Sequence, residues 1–170
     1  MELEDKLEKR MYFLVPYNIS GRQMGIQAGH AALRYARKYA ETDPEVWDFV
    51  DNHETWIILN GGTTNQIRDL DGIPLGTMDQ YGDQLLENKI QFSYFNEPDL
   101  NGALSALCLI VDERVFNRED YPDFPEWLKS KGISASFEDV HYKKLREGYI
   151  RHVGKDIAFL KELLNTKKLA

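Results

Sequence analysis

Two hydrophobic periods alternate along the chain. Met11-Tyr-Phe-Leu-Val15 is an unbroken apolar run of aromatic and branched residues, as in a buried strand, and Pro16 ends it because proline cannot donate to a ladder. Residues 1–10 read as a helical lead-in. After the loop Tyr17–Gly21 the period lengthens: Met24, Ala28, Ala31, Ala32, Tyr35 and Tyr39 recur at helical spacing. Ser20 is placed to cap a helix starting at Gly21 or Arg22. Thr42-Asp-Pro44 opens a second helix carrying Val46, Trp47 and Val50, with proline at its first position.

Further along, Thr55–Leu59 reads as a second buried strand and Asn60-Gly-Gly-Thr-Thr64 as a tight turn. Residues 65–76 look irregular, and a helix is expected from Met78 to Asn88. Ile90–Phe95 alternates like a half-buried strand, and Asn96–Gly102 is turn material. Leu104–Val111 is the most apolar strand and is expected at the centre of the sheet. The short turn before it suits an antiparallel pair. Beyond a loop at 117–126, Glu126–Lys131 predicts a turn of helix stopped by Gly132. Phe137–Leu169 predicts a helical stretch with breaks at Gly148 and Gly154. The order β-α-α-β-α-β-β-α is an α/β plan. It predicts a single three-layer domain over residues 1–170, with a mixed, mostly parallel four-stranded sheet and helices on both faces. An additional C-terminal helical segment follows it.

Composition changes this picture little. The 170 residues are 42% hydrophobic and 29% charged, ordinary for one globular domain. The charged start MELEDKLEKR lacks the apolar centre of a signal peptide, and no apolar run approaches bilayer length, which predicts a cytoplasmic protein with no membrane contact. Cys108, the one cysteine, sits in an apolar run and is expected as a small buried hydrophobe. Trp47, Trp56 and Trp127 are expected as core or sub-core anchors, ahead of a role as stacking platforms for bases.

Charge does change the picture. The net charge of −7 argues against indiscriminate nucleic-acid binding. Residues 141–170 hold eight Lys or Arg against three acids, so that segment is +5 and the first 140 residues are −12. Such a tail either meets a phosphate backbone or an acidic partner, or simply neutralises the acidic body.

Three stretches carry candidate chemistry. Ser20–His30 is a strand–glycine–helix junction, whose free N–H groups and positive dipole end favour anions, although it matches neither common nucleotide fingerprint. Within it Gln23, Gln27 and His30 share one helix face, either a solvated stripe or a site. Gly25 and Gly29 each cost about 1 kcal/mol of helix propensity relative to alanine, a cost usually offset by close packing or a nearby ligand. Glu97-Pro-Asp-Leu-Asn101 offers a carboxylate before the central strand, suited to orient a water, or is a plain polar turn. Asn60–Asn65 either lets a phosphate or ribose approach its glycines or turns the chain.

Taken in order, these pieces resemble the type 2 peptidyl-tRNA hydrolase family, as a divergent member. Gly25-Ile-Gln27-Ala-Gly-His30-Ala31-Ala32-Leu33 stands where that family has a helix pattern like A-A-Q-C-x-H-A. The resemblance covers about residues 11–116 and leaves 117–170 as a helical, basic extension. Three departures matter. The family's lysine at the helix start is replaced by Arg22 or Gln23, its acidic turn residue by Glu97 or Asp99, and a following threonine by Asn101. What the resemblance implies is hydrolysis of the ester between tRNA and a peptidyl or N-blocked aminoacyl group, with no metal or organic cofactor. Glu97 or Asp99 would orient water, with His30 and Gln27 positioning groups around it. Arg22 and the helix start would hold negative charge. Gln23 and Asn101 would line the substrate, and Lys143, Lys144 and Arg146 would grip tRNA. The family is often dimeric, so a homodimer is among the states the resemblance allows. Because arginine does not act as an acid or base, the alternative is a catalytically altered module of the same fold that binds tRNA, a nucleotide or a protein.

Overall fold

A computed structural model describes residues 7–134 and 141–170. In chain order the elements are β1 (Lys9–Pro16), α1 (Gly21–Tyr39), α2 (Pro44–Asn52), β2 (Trp56–Gly62), α3 (Thr77–Glu87), β3 (Ser93–Glu97), a 3₁₀ turn (Pro98–Leu100), β4 (Ala103–Asp112), α4 (Glu113–Phe116), α5 (Phe124–Ser130), α6 (Tyr142–Val153) and α7 (Lys155–Leu164). The four strands form one sheet in the order β2-β1-β4-β3. The sheet is mixed: β1 and β2 run parallel, and β3 and β4 antiparallel. The most apolar strand, β4, is interior, as its composition predicts.

The chain divides into two compact units. One comprises Glu8–Val111 with Lys167–Ala170; the other comprises, among described residues, Leu7 and Asp112–Thr166. The boundary falls close to the one expected between a core over 11–116 and an extension over 117–170, except that Lys167–Ala170 return to the sheet unit.

In the sheet unit, helices cover both faces. Met11, Phe13 and Val15 of β1 share one core with Ala106, Cys108 and Phe95. Ala28, Ala31 and Tyr35 of α1 and Val46 and Phe49 of α2 close that core. On the opposite face a Cβ added at Gly61 would lie 2.1 Å from Met78 Sδ and 3.2 Å from Leu14 Cβ, so the missing side chain is what lets α3 seat against the sheet. Small residues on α1 let it press close to β3, where the Ser93 hydroxyl donates to Ala31 O at 2.6 Å and the Tyr39 hydroxyl donates to Phe92 O at 2.8 Å. At the other edge, Asn60 N donates to Lys168 O at 2.9 Å and Ala170 N to Ile58 O at 3.0 Å. The last residues thus pair along β2, which would otherwise expose a strand edge.

Several expectations are corrected. Lys9 and Arg10 belong to a strand, not a helical lead-in; residues 1–6 of that expected segment lie outside the described residues. β2 is an edge strand with half-exposed residues rather than a buried one, and it continues through Asn60–Gly62, read above as a turn. Trp47 and Trp56 are exposed, at 55% and 45%. Trp47 spends its indole N–H on Ala40 O, and Trp56 leans on Phe13. Only Trp127 anchors a core, beside Phe124 and Tyr149. Cys108 is fully buried, as expected, and burial pushes its thiol pKa up.

In the second unit Phe124, Leu128, Tyr149 and Ala158 form the core. Gly154, at φ +94°, ends α6, whereas Gly148 lies within that helix without breaking it. The expected helix start at Phe137 lies outside the described residues, and Asn165–Ala170 are not helical. Lys161 is buried: its ammonium donates to Tyr121 O and pairs with Asp123 at 3.0 Å.

Two glycines give opposite predictions. A Cβ at Gly76 would sit 2.1 Å from the Asn65 backbone nitrogen, so Gly76→Ala is expected to lower stability by about 1–3 kcal/mol. A Cβ at Gly148 meets nothing within 4 Å. Gly148→Ala should therefore raise stability by up to about 1 kcal/mol through helix propensity. Urea unfolding of each variant measures both.

Candidate functional site

The site begins with a polar residue in an apolar interface. Gln27 lies on the face of α1 that meets the sheet and is 5% exposed. A buried amide needs partners at both ends, and it has them. The Ser105 hydroxyl donates to Gln27 Oε1 at 2.7 Å, and Gln27 Nε2 donates to Glu97 Oε2 at 2.6 Å. Because an ionised carboxylate only accepts, the amide nitrogen faces Glu97 and the amide oxygen is left to the Ser105 hydroxyl.

Ser105 reaches the helix because of the sheet register. Phe95 pairs with Ala106 and Asn96 with Leu104, so Ser105 is the extra residue of a β-bulge. The bulge re-aims its side chain onto the face of the sheet that α1 covers. Glu97, at the end of β3, also caps the 3₁₀ turn: its Oε1 accepts from Asp99 N at 3.3 Å. The hydrogen bond from Gln27 and then the one from Asp99 N–H hold the Glu97 carboxyl below its ordinary range against desolvation, and the charge of His30 adds the smallest contribution. His30, one turn on from Gln27, is exposed and stacks on Phe95 with ring centroids 4.4 Å apart. The Arg34 guanidinium also lies against Phe95, 4.8 Å from its centroid.

Of the sequence candidates, Gln27 and Glu97 are therefore joined, and His30 stands one helical turn from Gln27, near enough for its charge to act on Glu97. Gln27 is not part of a solvated stripe; it is the buried centre. Gln23 is drawn into the helix cap instead: its N–H donates to Ser20 Oγ and its side-chain oxygen accepts from Ser20 N at 3.1 Å. Arg22 is exposed in the first turn of α1, about 7.5 Å along the axis from Gln27. Its helical position is in line with Ile26 and Gly29 rather than with Gln27. The Asp99 side chain is exposed and contributes to the cluster only through its backbone N–H. Asn101, at φ +55°, and Gly102, at φ +72°, are the left-handed residues that turn the chain into β4.

The basic segment belongs to the second unit, except for Lys167 and Lys168. Lys143 and Lys144 are exposed on α6, Arg146 is paired with Glu162, and Lys161 is consumed in its buried ion pair. Lys167 lies over the Tyr81 ring at 3.8 Å.

Sequence reasoning missed Ser105 and Phe95. The available signal for Ser105 was a lone hydroxyl within the apolar run Leu104–Val111. Its use depends on the bulge, which no local pattern reports.

Chemically, the cluster presents an ionised carboxylate in a fixed orientation beside an exposed imidazole. Such a pair can orient a water and share its proton.

Ser105→Ala should leave Gln27 Oε1 buried without its donor and lower stability by about 1–3 kcal/mol, measured by urea unfolding. Gln27→Leu should let the Glu97 pKa rise toward its ordinary value, measured by carboxyl NMR titration. The sign follows from the depressed folded-state pKa: the Glu97 contribution to stability is present above the ordinary value of 4.5 and fades as pH falls through the lower folded value.

No family model matches the chain, and a search of curated proteins finds no match.

Proposed function

We propose that the sheet unit hydrolyses the ester joining tRNA to a peptidyl or N-blocked aminoacyl group. The observation that carries this reading is the Ser105–Gln27–Glu97 chain of hydrogen bonds ending beside His30. A water held by Glu97 attacks the ester carbonyl and gives its proton to the Glu97 carboxylate, with His30 nearby. The tetrahedral intermediate then collapses, the acyl carbon–ribose oxygen bond breaks, and the ribose oxygen takes a proton. Arg22 and the N–H groups at the start of α1, about 7.5 Å along the axis from Gln27, suit the negative charge of a terminal phosphate. The exposed Lys143 and Lys144 add sequence-independent attraction to the tRNA backbone, which falls as salt rises. The site asks for no metal or organic cofactor in this scheme.

A second reading is that the same fold binds tRNA, a nucleotide or a protein without catalysis. It is favoured by the fact that both Glu97 oxygens already accept hydrogen bonds and that its pKa is held low, which makes it a weak base.

Incubation of the purified chain with N-acetyl-aminoacyl-tRNA separates the two. Release of the acyl amino acid is expected, with Glu97→Gln slowing it by about 10²- to 10⁴-fold. Because Glu97 stays ionised down to its depressed pKa, its acid limb in the rate–pH profile should lie below 4.5. Folded protein that binds tRNA yet releases nothing above background would establish the second reading instead.

A further inference from the structure

Beside His30, between α1 and α2, lies an open cavity of about 590 Å³. That is within the range of roughly 300–1,000 Å³ usual for small-ligand sites. Met11, Ile26, Leu33, Val50 and Trp56 give it apolar walls, and among the described residues His30 and Glu54 are its only ionisable lining residues. Four of the wall residues are large, apolar and exposed: Ile26 at 51%, Leu33 at 72%, Val50 at 41% and Trp56 at 45%. Clustered exposure of this kind marks a surface that is covered in use.

Gly29 lines the same cavity. A mid-helix glycine is unfavourable relative to alanine, and the common reason to keep one is close packing against another element. That reason fails here, because a Cβ added at Gly29 meets nothing within 4 Å. The missing side chain leaves space open; it does not accommodate a neighbour.

We propose that this cavity receives a large apolar side chain on the acyl side of the ester, that of the amino acid attached to the tRNA. The proposal rests on the hydrolytic reading above and names the substrate preference of that site. His30 connects the two, since it lines the cavity and its charge acts on Glu97. A carbonyl held at His30 thus has an apolar groove beside it. Charge argues in the same direction: among the described residues the lining holds the Glu54 carboxylate and no lysine or arginine, so aspartyl and glutamyl side chains are disfavoured.

The test compares kcat/KM for N-acetyl-phenylalanyl-tRNA, N-acetyl-glycyl-tRNA and N-acetyl-aspartyl-tRNA. It is paired with NMR titration of the Trp56 indole and His30 ring by N-acetyl-phenylalaninamide and N-acetyl-glycinamide. The phenylalanyl ester is expected to exceed the other two by about 10- to 100-fold. Only the phenylalanine amide should move the Trp56 and His30 signals. Gly29→Leu, in protein shown folded by circular dichroism, should bring the phenylalanyl-to-glycyl ratio near one and abolish those shifts. Hydrolysis of all three esters at equal rates, with Trp56 unmoved, overturns the cavity proposal while leaving the hydrolytic reading intact. Saturable Trp56 shifts without release from any ester overturn the hydrolytic reading and leave an apolar-residue site. A dimer that Leu33→Asp dissociates assigns this face to a second copy and also overturns the proposal.

Discussion

Gln27 carries one polar amide into a helix–sheet interface that is otherwise apolar, and the site follows from how that amide is satisfied. Its oxygen accepts from Ser105 on β4 and its nitrogen donates to Glu97 at the end of β3. A buried amide left half-satisfied is costly, so the helix, the bulge and the strand end are tied to one mutual geometry. The register shift at Ser105 supplies the donor, and the capped 3₁₀ turn at Pro98–Leu100 supplies the carboxylate. His30 reaches the same place because it stands one helical turn beyond Gln27 and rests on Phe95.

Around this cluster the two ends of α1 differ in character. The first turn is devoted to capping, with Ser20 and Gln23 satisfying each other's backbone, and it leaves Arg22 exposed. The middle of the helix buries Ala28, Ala31 and Ala32 against β1, β3 and β4. The side turned toward α2 exposes Ile26, Leu33 and the bare backbone of Gly29. One helix therefore serves three surfaces: a polar start, a sheet contact holding the buried amide, and an apolar wall. Small residues make this possible, since only they bring the helix backbone close enough for Gln27 to span to both β3 and β4.

The electrostatics were less legible than the helices. A count of charges makes residues 141–170 a basic tail. The structure withdraws members from that count: Lys161 is buried against Asp123, Arg146 pairs with Glu162, and Lys167 lies on Tyr81. Lys143, Lys144, Arg151, Lys155 and Lys168 stay exposed. Charge pattern reports sign and density but not which ammonium groups are spent internally. Likewise, Trp47 and Trp56 looked like core residues because tryptophan is apolar on average. Trp56 lies on an edge strand and Trp47 lies off the Val46–Phe49 face of α2, which left both at the surface.

By itself the sequence determined the α/β plan, the interior place of the most apolar strand, the N-cap at Ser20 and the burial of Cys108. All of these rest on short-range periodicity, capping chemistry or local hydrophobic density, which a few neighbouring residues encode. The family resemblance, rather than spacing, pointed to Gln27, His30 and Glu97, the last over Asp99, and the structure joins Gln27 to Glu97. Only the tertiary structure decided that Gln27 is buried and joins Ser105 to Glu97, and that β2 is an edge strand extending through Gly62. It made the extension a compact unit of its own and returned Lys167–Ala170 to the sheet unit. These depend on strand order, on a one-residue bulge and on contacts spanning 70 residues or more, for which the local pattern carries no signal.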